Sequence, residues 1–282
     1  MKRMMTLVAI AIFLMFESLP YSLVYAQRQD GLPKAWTQYE DYASPNEDGY
    51  AYYIFDDPDV SSEIMPLTEE SSSNVLLFTF DDAPNVPDSK VLEMAQTMKE
   101  KDVNAIFLVN GRLLESEEGK NLLKQIHEMG FEIGNHTTTH PNLREMTYDE
   151  QLWEIQTTND MIKDIIDAPV RWFRPPFGKF NLDTIKICND LGLQLMTWSF
   201  GYDWMEEYHD GNKLAEVSLD NDFIRAGGNI LMHDLPWTND ALEEMIDGYR
   251  KQGFHIVDPY LIKRLDNSED PLEGPPADAR EE

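Results

Sequence analysis

The sequence predicts an α/β fold built on about seven parallel strands. Three observations predict it. Seven short apolar, β-branched runs recur between residues 75 and 257, amphipathic helical patterns separate them, and the chemically distinctive polar residues fall just past the C-terminal ends of the runs. The runs are Val75–Phe80, Ala105–Val109, Phe131–Ile133, Val170–Phe173, Leu193–Trp198, Asn229–Met232 and Phe254–Val257. One helix is expected to start at Thr147, because Glu150 three residues on completes a capping box. Its Leu152, Ile155, Ile162, Ile165 and Ile166 lie largely on one face. A second helix is expected from about Asn239, with Leu242, Met245, Ile246 and Tyr249 spaced for a core face. This pattern over residues 73–265 suits a closed barrel or an open doubly wound sheet. No phosphate-binding Gly-rich loop is present, so a nucleotide fold has no support.

Composition narrows the function. The 282 residues include 52 acidic and 23 basic side chains, for a formal net charge of −29. Binding built on neutralising nucleic-acid phosphates needs a basic patch, and no Lys/Arg cluster stands out. The same charge opposes docking on an anionic membrane surface. A hydrophobic content of 42% is enough for a sizeable core. The single cysteine, Cys188, excludes an intramolecular disulfide and a multi-cysteine zinc site, and reads as a small buried hydrophobe.

The ends differ from the body. Residues 1–26 read as a signal peptide: Lys2 and Arg3, then the apolar run Met4–Phe16, then Val24-Tyr25-Ala26 before Gln27. The run is short of the roughly 20 residues that span a bilayer. The expectation is therefore a secreted or periplasmic protein with no membrane anchor after cleavage. Residues 27–72 carry 11 acids against 2 bases, with Trp36, Tyr39, Tyr42, Tyr50, Tyr52, Tyr53 and Phe55 among them. They are expected to pack on the domain as an N-terminal extension; stacking on sugar rings is the alternative. Residues 266–282 hold 7 acids against 1 base and read as a disordered acidic tail.

The residues past the strand ends suggest a site. Asp81 and Asp82 follow the first run, His136 and His140 the third, Arg174 the fourth, Asp203 and Trp204 the fifth, His233 and Asp234 the sixth. In barrels and in open sheets this edge carries the chemistry. A four-residue spacing puts His136 and His140 on one side of a helical turn, as a metal requires, and Thr137 is placed to orient one imidazole. A carboxylate from Asp81-Asp82 completes a set of three and leaves one carboxylate spare as a base. Two histidines, one carboxylate and an open position form a zinc site suited to hydrolysis. His233 is the candidate general acid, and Arg174 can pin a carboxylate bidentately.

Five ordered segments match a known family. Thr79-Phe80-Asp81-Asp82-Ala83-Pro84, His136-Thr137-Thr138-Thr139-His140, Arg174-Pro175-Pro176-Phe177-Gly178, Asp203-Trp204 and Leu231-Met232-His233-Asp234 resemble the motifs of the NodB-type polysaccharide deacetylases, carbohydrate esterase family 4. The resemblance covers about residues 73–262. It implies a distorted (β/α) barrel and a divalent metal, usually zinc. It also implies removal of acetyl groups from N-acetylglucosamine polymers or, in some members, from acetylated xylan. Carried over by position, it implies Asp81 as base, Asp82, His136 and His140 as metal ligands, and Arg174 as the residue that orients the base. It further implies the backbone N–H of Phe177 at the oxyanion, His233 as general acid, Asp203 tuning that acid, and Trp204 and Leu231 walling the pocket for the acetyl methyl group. There are two departures from the pattern. Ala83 stands where the family usually has Gly, which strains the turn only if φ is positive there. The fourth motif lacks its first aspartate and is one residue short.

The expected function is a secreted, metal-dependent hydrolase that removes N-acetyl groups from an acetylated polysaccharide: chitin-like, poly-N-acetylglucosamine or peptidoglycan. The alternatives are an O-acetyl xylan esterase and a glycan-binding relative without catalysis. Loss of Lys2, Arg3 and Glu17 with the signal leaves a charge of −30. Polyanionic polymers should be repelled by it, so neutral chitin-like chains, or a poly-N-acetylglucosamine that gains positive charge on deacetylation, fit better.

Overall fold

The computed structural model describes residues 39, 41–47, 49–56 and 62–264. The expected signal peptide, Trp36 and the acidic tail 266–282 lie outside the described residues. Among the described residues no helix is long and apolar enough to cross a membrane.

Two strands precede the expected runs, β1 (Tyr52–Asp56) and β2 (Ser62–Pro66). The seven runs then form β3 (Val75–Asp81), β4 (Ile106–Val109), β5 (Glu132–Asn135), β6 (Trp172–Phe173), β7 (Gln194–Leu195), β8 (Gly228–His233) and β9 (His255–Ile256). All seven belong to one parallel sheet, in the order β7-β6-β5-β4-β3-β8, with β9 paired to the start of β3. A last strand, β10 (Ile262–Lys263), pairs with β1 in a separate three-stranded sheet. Parallel neighbours need crossovers. These contain α1 (Val91–Glu100), α2 (Glu117–Glu128), α3 (Tyr148–Ile166), α4 (Leu182–Leu191), α5 (Gly211–Leu219) and α6 (Pro236–Lys251).

The sheet curls into a half-barrel, which resolves the choice between closed and open forms. β7 and β8 are not strand partners. The irregular chain after β7 spans the gap: Ser199 donates its N–H to Asn229 O (2.9 Å) and its Oγ accepts the Asn229 N–H (2.9 Å), while Leu231 N–H donates to Phe200 O (2.7 Å). That seam is the distortion of the (β/α) barrel. It also explains why β6 and β7 hold two residues each, fewer than their apolar runs led one to expect.

Alternation along the strands divides the core in two. Leu76, Phe78 and Phe80 of β3 face the helices with Phe107, Ile230 and Met232. Val75 and Leu77 face the other way, with Ile106, Leu108 and Trp172. Tyr52, Ile54 and Ile64 of the β1–β2 hairpin cover this second face, and Tyr39 and Tyr42 pack against it. Tyr39, Tyr42 and Tyr52 thus pack on the sheet, whereas Phe55 is exposed. Gly134 sits where a Cβ would lie 2.7 Å from Leu108 Cδ1 and 2.9 Å from Trp172 Cβ, so the inner face has no room for a side chain there.

The helices follow their local signals, with two adjustments. Thr147 caps α3 and the capping box with Glu150 is complete. The buried face of α3 holds Ile155 and Ile162, but also the polar Gln151, Glu154 and Thr158. α6 begins at Pro236, three residues before the expected Asn239, because proline's fixed φ suits the first helical turn. Cys188 is buried among Ile187, Leu193 and Phe173.

Candidate active site

The site follows from strand parity. On the face that carries Val75 and Leu77, the next β3 positions are Thr79 and Asp81. β8 lies in parallel register with β3, pairing Leu77 with Asn229, Thr79 with Leu231 and Asp81 with His233. Counting by twos from inner-face residues reaches Asn110 from Leu108, His136 from Gly134 and Arg174 from Trp172. Five strands therefore end on the same side with a polar residue.

Asp82, His136 and His140 come together. One ligand atom of each lies within 4.8 Å of the others, the chemistry of a divalent-cation site. The donor set fits such an ion. His136 Nδ1 lies 2.7 Å from Arg174 O; a carbonyl only accepts, so Nδ1 carries the proton and Nε2 keeps its lone pair. Burial, and then the neighbouring His136, hold His140 below the usual imidazole range, which favours its neutral, ligating form. Asn110 Nδ2 donates to Asp82 Oδ1 at 3.4 Å.

The two histidines do not lie on a helical turn, as their spacing suggested. The segment after β5 is a loop with Thr137 at φ 65° and His140 at φ 61°. Side chains hold it instead. Asn135 Oδ1 accepts the Thr137 N–H (2.8 Å), and Thr137 Oγ1 accepts the His140 N–H (3.1 Å). Thr137 therefore orients backbone rather than imidazole. Glu154 of α3 accepts the N–H groups of Thr138 and Thr139, both at 2.8 Å, and the Thr139 hydroxyl at 2.5 Å. The buried polar stripe of α3 is the clamp on this loop. Of the six non-glycine residues with positive φ among the described residues, four (Asp82, Thr137, His140 and Phe177) surround the site. Such strain persists where surrounding structure enforces it, and it clusters at functional sites. Ala83 is not among them, so alanine in place of glycine costs the turn little.

Asp81 is buried against Arg174. Arg174 Nη1 donates to Asp81 Oδ1 (2.7 Å) and Thr79 Oγ1 (2.8 Å), and Nη2 to Asn229 Oδ1 (3.0 Å) and Thr197 O (3.1 Å). The carboxylate thus receives one N–H, not a bidentate pair, and the second nitrogen ties β8 to the seam. Burial raises the Asp81 carboxyl pKa, but the Arg174 charge, followed by His136 and His233, outweighs it and holds the group below the usual carboxylate range.

His233 is held by Asp203 despite the shortened segment before it. Asp203 Oδ1 lies 2.9 Å from His233 Nδ1, while Oδ2 accepts the His233 N–H (2.6 Å) and the Thr238 hydroxyl (2.8 Å). Burial alone would depress the imidazole; the Asp203 charge and hydrogen bond overcome it and raise the pKa to about 9. Asp234, the next residue, accepts the Asn85 N–H (2.9 Å) and the Ser89 hydroxyl, tying the loop after β3 to β8.

A cleft of about 350 Å³ opens here, with Asp82, His140, Trp204 and His233 on its walls. Trp204, 59% exposed, is steadied by its Nε1–H bond to Gly201 O (2.9 Å). Phe177, 60% exposed, packs its ring edge-on to His140 with centroids 4.6 Å apart. Leu231 and Asp81 are nearly buried on the same face of the sheet and are not on the cleft walls. Sequence reasoning missed Asn110, Asn135, Glu154 and Asn229. Glu154 carried one signal, a charged residue between Ile155 and Gln151 on the side of α3 that packs inward.

Residues 68–196 match the family model described as polysaccharide deacetylase. The chitooligosaccharide deacetylase of Azorhizobium caulinodans is 32% identical over 177 residues, 62% of this chain and 80% of that protein. The peptidoglycan-N-acetylglucosamine deacetylase of Bacillus cereus is 29% identical over 186 residues, and the match spans 64% of each protein, just under two thirds of that relative. Among solved structures, a carbohydrate esterase family 4 pseudoenzyme from Bacillus anthracis superposes with a TM-score of 0.61 at 25% identity, covering 74% of this chain and 78% of that one. The chain belongs to the polysaccharide deacetylases of carbohydrate esterase family 4. The family is one of hydrolytic deacetylases acting on acetylated polysaccharides, and it includes pseudoenzymes.

Proposed function

We propose that this protein is an exported, metal-dependent hydrolase that removes N-acetyl groups from an N-acetylglucosamine-containing polysaccharide. The observation that carries the reading is the juxtaposition of a three-ligand cation site, Asp82, His136 and His140, with Asp81 and His233 side by side in strand register. The apolar segment Met4–Phe16 behind Lys2 and Arg3 supports export.

Asp82, His136 and His140 would hold the cation, and zinc suits two imidazoles and a carboxylate. When bound it supplies Lewis-acid polarisation of the acetyl carbonyl and acidifies water. Asp81, kept ionised by Arg174, takes the proton from the attacking water. The backbone N–H of Phe177 steadies the negative charge that develops on the acetyl oxygen. His233, protonated through neutral pH, delivers its proton to the departing nitrogen, without which an amine leaves poorly. Asp203 keeps that proton on His233. Trp204, on the cleft wall, supplies apolar surface for the acetyl methyl group. Asp82, His136 and His140 lie within ligand distance of one another, Asp81 contacts Arg174, and His233 contacts Asp203, which favours catalysis over the pseudoenzyme state of the Bacillus anthracis relative.

Acetate release measured side by side on N-acetylglucosamine oligomers and acetylated xylan tests the substrate. Release from the oligomers is expected; release from xylan alone would move the assignment to an esterase. A pH profile tests the acid. Activity should fall as pH rises through the His233 pKa, near 9. Asp203→Asn removes the charge that holds this pKa up, so the alkaline limb should shift to lower pH. An unshifted limb would remove His233 from the role.

A further inference from the structure

Arg112 stands on the wall of the same cleft as His140 and Trp204, and it is exposed. Its guanidinium has no partner among the described residues. Arg144, Arg171, Arg174, Arg225 and Arg250 each donate from theirs, and Arg264 is partnered too. Arg112 contributes only its backbone N–H, and among the described residues its side chain has no partner. In a chain with 52 acids and 23 bases, a cation without a carboxylate is unexpected on charge arithmetic alone.

The residue is also firmly mounted. Its N–H donates to Thr138 O (2.9 Å) and Asn110 Oδ1 (3.1 Å), so its backbone is tied to the loop that carries His136 and His140. Gly111 before it presses so close that a Cβ there would lie 2.7 Å from Thr158 Oγ1 and 3.2 Å from Thr138 Cα. Around it the cleft offers the neutral Asn85, Asn110, Leu113 and Leu235, and Asp82 is the one acid on its walls. Asp82 belongs to the cation site, so a bound dication would offset its charge.

We propose that Arg112 is a specificity-determining residue that binds a carboxylate carried by the deacetylated sugar or its neighbour, such as a lactyl ether or a uronate. The guanidinium fork matches a carboxylate bidentately, and the shared cleft requires the anion and the acetyl group to lie on the same or adjacent sugars. This deepens the deacetylase reading above and rests on it. It also reverses, at contact range, the preference for neutral chains expected from net charge. The long-range field of a −29 chain still repels a polyanion, but exposed charges are screened beyond about 10 Å at 0.1 M salt. Association with such a glycan should therefore quicken as salt is raised toward that level.

The test uses two oligosaccharides of equal length, one of N-acetylglucosamine alone and one with a lactyl-ether carboxylate on alternate sugars. Binding to the zinc-loaded full chain is measured by calorimetry, and acetate release in parallel. The native protein should bind the carboxylated glycan about tenfold more tightly or better, from the strength of a charged hydrogen bond. Arg112→Gln should abolish that preference, with the loss falling on KM for the carboxylated glycan, and Arg112→Lys should restore part of it. Equal binding of both glycans by the native protein, or a preference that survives Arg112→Gln, overturns the assignment. Acetate release without discrimination sinks the Arg112 role alone. Discrimination without acetate release from either glycan upholds it and sinks the deacetylase reading instead.

Discussion

Asp81→Asn should lower kcat/KM on N-acetylglucosamine oligomers by about 100- to 10,000-fold, the usual contribution of a positioned general base. The zinc content of the protein should not change. The reasoning is positional. Asp81 and Asp82 are adjacent in sequence, yet only Asp82 joins His136 and His140 within ligand distance. Asp81 faces inward at the end of β3, beside His233 and in contact with Arg174. Asn keeps the shape and one acceptor but cannot take a proton. Asp82→Asn should differ in kind, weakening zinc binding and activity together. Both variants are assayed by metal content and by acetate release. Loss of zinc from Asp81→Asn would mean that the two aspartates have been assigned the wrong way round.

Arg174→Met should unfold the protein more easily, by about 3–5 kcal/mol, because it leaves the Asp81 carboxylate buried without its partner. Arg174 is fully buried and joins four elements: Thr79 and Asp81 on β3, Asn229 on β8, Thr197 in the seam, and Asn135 through its own backbone N–H at 3.0 Å. The double variant Arg174→Met with Asp81→Asn should recover a good part of that loss, since no unpaired charge then remains. It should stay inactive. Urea unfolding of the two single variants and the double variant measures the coupling. Strict additivity would show that the pair is not coupled and that Arg174 acts through its other bonds.

Much of this arrangement was legible in the sequence, and the particular failures have physical causes. The seven apolar runs all became strands of one sheet, and the polar residues past their ends converged, because parallel strands deliver their C-terminal ends to one edge. The face was not legible. Runs such as Val75–Phe80 are apolar at every position, as strands buried on both sides must be. Nothing in Val75–Phe80 says that its odd positions point inward, and so the pairing of Asp81 with His233 needs the register. The helical reading of His136 and His140 failed because spacing alone cannot detect Asn135 and Glu154, which hold the loop from positions outside it. Glu154 reads as one more acid in an acidic chain until α3 is packed. The shortened segment before Asp203 looked like a defect in sequence; the Thr238 and His233 contacts show the carboxylate in place all the same.

The most direct measurement is acetate release from N-acetylglucosamine oligomers before and after chelation. The native protein should fall silent when its metal is stripped and recover with one equivalent of zinc, whereas His140→Gln should not recover under the same addition. Undiminished release by protein shown to be metal-free would contradict the account at its centre.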